Sequence, residues 1–118
     1  MESQLVSEHE SQAKEVARIR ELIQAEIAGF DPARHTGIKE WNEAILADFK
    51  SALIEPELME VNLPGGVTDF AYAVTETKGP YRVFWLPWSD VFSLAVESRF
   101  GPCDISVHGD AIGCFASV

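Results

Sequence analysis

Basic residues are scarce in this 118-residue chain: nine Lys and Arg stand against nineteen Asp and Glu, a formal net charge of −10. Such a field repels phosphate backbones and anionic lipid, which argues against nucleic-acid or membrane binding as the main activity. Long apolar runs are missing as well. No stretch approaches the roughly 20 residues needed to cross a bilayer, and the amino terminus shows no basic segment followed by an apolar run, so the expectation is a soluble cytoplasmic protein. Cysteine is limited to Cys103 and Cys114. Strand alternation places Cys114 on a core face and Cys103 at the end of a loop, an arrangement that does not bring the two Cα atoms to the roughly 4.4–6.8 Å a disulfide requires, and a reducing compartment follows more naturally. A reactive Cys103 would need a base nearby to lower its pKa, and the sequence offers none.

Motifs for chemistry are equally thin. Pro64-Gly65-Gly66 would have to lead into a helix to cradle phosphate, but an alternating, strand-like segment follows. No repeat, low-complexity tract or long linker interrupts the chain, so residues 1–118 read as one domain. No cofactor is expected.

With 47% hydrophobic residues, the chain can build a core, and the second half shows how. Side chains alternate along strands and tight turns set which residues oppose one another. A turn at 64–66 places Leu63 opposite Val67 and Val61 opposite Asp69. A turn over Glu76–Pro80 pairs Thr75 with Tyr81, and one over Pro87–Asp90 pairs Trp85 with Phe92 and Val83 with Leu94. A longer connection, Ser98–Cys103, brings Val96 opposite Ile105, and a Gly109-Asp110 hairpin adds a sixth strand carrying Ile112 and Cys114. In that register Met59, Val61, Leu63, Ala71, Ala73, Tyr81, Val83, Trp85, Phe92, Leu94 and Val96 share one inner face, and a slip of one residue at any turn would reverse the faces beyond it.

Two amphipathic helices can cover that face. Over residues 8–30, Val16, Ile19, Ile23, Ile27 and Phe30 recur at three- and four-residue steps, with Ser7 and Glu10 spaced as a capping box. Over 38–53, Ile38, Trp41, Ile45, Phe49, Ala52 and Leu53 form one side, and the Glu55-Pro56 pair stops the helix. Between them Asp31 is placed to cap a single short turn. The expected fold is α+β: two N-terminal helices on one face of a six-stranded antiparallel meander spanning residues 57–118, a two-layer single domain.

The opposite face carries Leu58, Phe70, Tyr72, Val74, Phe84 and Leu86, with Arg82 at its edge and Trp88 in the adjoining turn. Exposed aromatic residues with arginine have the composition of a protein interface, so Phe70, Tyr72, Arg82, Phe84 and Trp88 form the expected binding surface. The function expected from these features is a small acidic protein-binding module, an inhibitor, immunity-type or chaperone-like adaptor, acting on a basic partner or on a second copy as a homodimer. The rival reading is a small-molecule or metal-binding domain, an enzyme included, with a pocket on the outer sheet face. For that reading the register sets Glu97 opposite Asp104 and Ser93 opposite His108 on one face, a grouping of Glu97, Asp104 and His108 that could hold a divalent metal or a general acid. A Ser93-His108 pair has no orienting acid or oxyanion-hole motif beside it, which leaves a nucleophilic role without support.

Overall fold

In the computed structural model, residues 2–34 and 37–118 are described, with side chains from residue 8 onward. Three helices and five strands follow one another: α1 (Glu2–Gly29), α2 (Lys39–Ala52), β1 (Leu53–Leu63), β2 (Val67–Thr75), β3 (Tyr81–Leu86), β4 (Val91–Val96), β5 (Cys103–Gly109) and α3 (Ala111–Ala116). The class is α+β with an antiparallel meander, as the patterning implied. The sheet is closed, however, with β1 meeting β5 in a short parallel contact at Asn62 and Cys103, where the Asn62 N–H also donates to the Pro102 carbonyl at 2.9 Å.

Closure explains the first correction. The predicted sixth strand is the helix α3, because β1 already lies beside the start of β5. Asp110 caps the helix by accepting the Gly113 N–H at 2.6 Å, and Ala111, Ile112, Cys114 and Phe115 are all buried. These apolar positions step in the helical pattern rather than in alternation, a signal obscured by reading Gly109-Asp110 as a hairpin. Both cysteines are free thiols. Cys114 is a buried core residue, as expected, although on a helix.

The strands also distribute their faces differently from the expected single inner face. The first and third hairpins keep the predicted register, with Leu63 opposite Val67, Val61 opposite Asp69, Trp85 opposite Phe92 and Val83 opposite Leu94. The second does not: Tyr72 lies opposite Trp85 and Ala73 opposite Phe84, one residue away from the pairing of Thr75 with Tyr81. The tight turn closes between Lys78 and Tyr81 around Gly79, whose φ of +60° suits glycine. Glu76 instead donates its N–H to the Ala52 carbonyl at 2.7 Å, and the Thr75 hydroxyl accepts the Val83 N–H at 3.1 Å. The slip reverses β1 and β2 relative to β3 and β4.

Two cores result where one was expected. Between helices and sheet, Ile19, Ile23 and Phe49 pack with Tyr72, Val74, Val83, Trp85, Phe92, Leu94 and α3. Inside the barrel, Phe84 and Leu86 fill a space lined by Val61, Ala71, Ala73 and Ala95, with Met59 and Leu63 at its margins. The three alanines leave room for the Phe84 ring.

Helix α1 begins at Glu2, ahead of the expected start near Ser7, whose side chain lies outside the described residues. At 28 residues it is about 42 Å long at 1.5 Å per residue, and its residues 8–14 are exposed all round, extending beyond the body. Asp31 caps the single turn after it, accepting the Ala33 N–H at 3.0 Å. Helix α2 stops at Ala52 and runs directly into β1, with a register shift between Leu53 and Glu57 around buried Pro56. On α2 the core side differs from prediction: Trp41 is 68% exposed and Ile38 is exposed, while Asn42 is buried and donates to the Pro32 carbonyl at 3.0 Å.

Candidate functional site

The five residues of the predicted binding surface do not share a surface. Phe84 is 1% exposed inside the barrel and Tyr72 is 6% exposed beneath α1. Burial and the nearby Glu15 carboxylate push the Tyr72 phenol above its ordinary pKa. Arg82 lies on the same face of β3 as Phe84, directed into the barrel. Its Nη1 donates to the Met59 sulfur at 3.5 Å and lies 3.8 Å from Glu97, while its Nε is buried and has no partner among the described residues. Phe70 and Trp88 alone of the five are well exposed, at 53% and 45%.

The predicted metal grouping is also divided. Opposite β4, the register shifts within β5: Ser93 pairs with His108 as expected, but Ala95 faces Asp104, so Glu97 is left beside Arg82. The cause is local. Ser106 takes a left-handed φ of 59°, and the Asp104 carboxylate holds that kink by accepting the Ser106 N–H at 3.1 Å and the buried Ser93 hydroxyl at 2.5 Å. His108 stands 3.8 Å from the other Asp104 oxygen. With Ser93 inaccessible and donating to Asp104, the group serves as a bulge lock. No group of three or more His, Cys, Asp or Glu residues among the described residues is arranged to hold a metal ion.

Two hollows that sequence patterning missed lie along α1. One, about 590 Å³, is bounded by Glu26, Phe30, Asn42, Ile45 and Ile112; the other, about 560 Å³, by Arg18, Leu22, Trp85, Asp90 and Phe92. They meet at Ala25, Glu26 and Asp110. Glu26 is engaged there, because its two oxygens accept the Ala111 and Ile112 N–H groups at 2.9 and 3.0 Å and anchor α3. Burial raises its pKa, outweighing the opposing effect of those two hydrogen bonds. At the far rim Arg18 makes a two-pronged pair with Asp90 at 3.0 and 3.1 Å, which lowers the Asp90 pKa, and its guanidinium sits 5.5 Å from the Trp85 ring centre. These contacts hold α1, α3 and the turn after β3 in place, as does Trp85 Nε1, which donates to Glu15 at 2.6 Å; outside the hollows, Arg20 pairs with Glu55.

A different surface has unspent apolar groups. Leu58 and Phe70 lie on the outer side of the β1–β2 hairpin, diagonal neighbours on adjacent strands, with Glu60 opposite Phe70 and Asn62 opposite Thr68. The Asn62 side chain, on that same side, donates to the Phe100 carbonyl at 3.0 Å and so tethers the loop that carries the exposed Phe100. Val67, at the hairpin tip, is exposed as well. No protein-family model, curated protein or solved structure matches this chain. Of the exposed carboxylates on this hairpin, Glu60 shares the outer side with Leu58 and Phe70, whereas Glu57, opposite Ala73, and Asp69, opposite Val61, belong to the other face of the strands. The outer side of the hairpin thus joins exposed apolar side chains to the Glu60 carboxylate, a composition found at protein interfaces. Among the described residues no helix is long and apolar enough to cross a membrane.

Proposed function

We propose that this protein is an acidic protein-binding module, an inhibitor or adaptor whose partner is basic and docks on the outer side of the β1–β2 hairpin. The observation that carries the reading is the exposure of Leu58 and Phe70 beside Glu60 on the outer side of one hairpin, with exposed Phe100 on the loop that Asn62 tethers there, in a chain of net charge −10. Exposed aromatic anchors supply the desolvation on which affinity depends, and a surrounding field of one sign selects partners of the other sign and speeds their encounter. The field also weighs against self-association through this face, since a second copy would bring its own carboxylates.

The test compares partner capture by wild-type protein with capture by a Phe70→Ala, Glu60→Lys double variant. Both residues are exposed, so the variant is expected to keep its fold, checked by its melting curve. The expected result is a basic protein retained by the wild type, released by raised salt and lost from the variant. Equal recovery of that protein by both would overturn the assignment of this surface.

A further inference from the structure

Strand β2 is longer than the strand beside it, and the excess has a consequence for binding. The register that sets Tyr72 opposite Trp85 and Ala73 opposite Phe84 would place Leu86 opposite Ala71 and Pro87 opposite Phe70. Strand β3 ends at Leu86 and the chain turns away through Pro87–Asp90. Residues Val67–Phe70 therefore continue in strand conformation, exposed, beyond the end of β3. One flank of this segment pairs with β1. Along the other, the Phe70 N–H is taken by the carboxylate of its neighbour Asp69 at 2.7 Å and not by a strand. Because alternate residues of a strand direct their N–H groups to the same side, the Thr68 N–H points to this open edge too. Trp88, in the turn that follows β3, is exposed.

We propose that the Val67–Phe70 edge of β2 takes an extended, cationic segment of a partner protein as an additional antiparallel strand, an inference that rests on the binding role proposed above. Addition of a strand to a free edge draws affinity from main-chain hydrogen bonds and specificity from alternate side chains. Here the alternation defines the occupant. Thr68 and Phe70 project to the outer side of the hairpin, and Val67 and Asp69 to the other. An incoming strand thus places apolar residues along Phe70 and Lys or Arg residues along Asp69. A second copy of this chain does not fit, since antiparallel pairing of two such short edges would bring the two Asp69 carboxylates next to each other, and like charges across a ladder are destabilising. Asp69, by occupying the Phe70 N–H and charging the edge, guards it against indiscriminate pairing.

Amide methylation of a probe peptide separates strand addition from simple charge attraction. The probe is an acetylated, amidated hexapeptide of alternating lysine and valine, measured for binding at low ionic strength, together with two versions of equal charge: one N-methylated at each valine, the other at each lysine. In antiparallel addition the residues on the Phe70 side turn their N–H groups toward β2, so methylated valine weakens binding at least tenfold and methylated lysine leaves it nearly unchanged. Thr68→Pro, which removes the outward N–H, abolishes the difference between the peptides. Equal binding of all three peptides would overturn strand addition while leaving an acidic, cation-selective surface intact; no binding by any of them would overturn both. Should Thr68→Pro fail to fold, slowed exchange of the Thr68 amide in the wild-type complex supports the edge as the site, and unchanged exchange places the peptide elsewhere and overturns the proposal.

Discussion

Phe84→Ala decides which face of β3 is inside. The ring is fully enclosed in the barrel, and its neighbours Ala71, Ala73 and Ala95 are too short to fill the space it would leave. Removing a buried phenylalanine costs about 3–5 kcal/mol, with the upper part of the range applying where the surroundings cannot collapse. For Phe84 the expected loss is therefore roughly 4–5 kcal/mol. With a urea m-value of about 1.5 kcal/mol/M, the unfolding midpoint should fall by roughly 3 M. Phe70, more than half exposed, provides the comparison. Full burial of such a side chain contributes about 1.5–3 kcal/mol, so Phe70→Ala should cost about 1 kcal/mol or less. Urea titrations followed by tryptophan fluorescence, with both variants and wild type measured together, read the two losses directly. If Phe84→Ala costs less than about 1.5 kcal/mol while Phe70→Ala costs more than about 2, well outside the core-truncation expectation, the faces have been assigned the wrong way round and the barrel interior with them.

Two further outcomes follow from groups buried at α3. Glu26 has a folded-state pKa raised mainly by burial, so the folded protein holds this proton more tightly than the unfolded chain; the associated stability is present below the unfolded pKa and is lost as pH rises through the folded value. Relative to Glu26→Gln, wild type should therefore gain stability as pH falls from about 7 to about 4, near the ordinary carboxyl pKa, and a flat difference or the opposite slope in paired urea titrations would refute that reasoning. The Cys114 thiol is pushed up to about 12 by burial, so a thiol reagent at mildly alkaline pH should modify one cysteine rapidly in native protein, Cys103, and the second only on unfolding; two fast native thiols would show that α3 is not held as described.

Much of the candidate surface was legible residue by residue but not as an assembly. Phe70 and Trp88, expected as exposed anchors, are exposed. Tyr72 and Phe84 are internal because the second hairpin, turning one residue later, puts Tyr72 beneath the helices, and closure of the sheet encloses Phe84. Asp104 and His108 remain close, whereas Glu97 was separated by the Ser106 kink, and no residue in that stretch announces a left-handed serine. The hollows beside Glu26 had no sequence signal at all, since one forms between α1, α2 and α3 and the other between α1 and the β3–β4 hairpin, elements far apart in the chain. Helix α3 did leave one: an aspartate at the cap followed by apolar residues at helical spacing.

What the sequence by itself determined is the set of local periods: 3.6-residue stripes for α1 and α2, alternation for five strands, and hairpin registers wherever the turn residues alone select the geometry, as at 64–66 and 87–90. Tertiary structure decided the rest. The N–H of Glu76 reaches the Ala52 carbonyl 24 positions earlier, and that pairing draws Glu76 out of the turn and shifts the hairpin by one residue. Closure of β1 onto β5 removes the place for a sixth strand, and Glu26 then supplies acceptors for the helix that replaces it. Both outcomes depend on hydrogen-bond partners distant in sequence, whose energies enter only when the chain has already folded back on itself, and no local pattern of side chains encodes them.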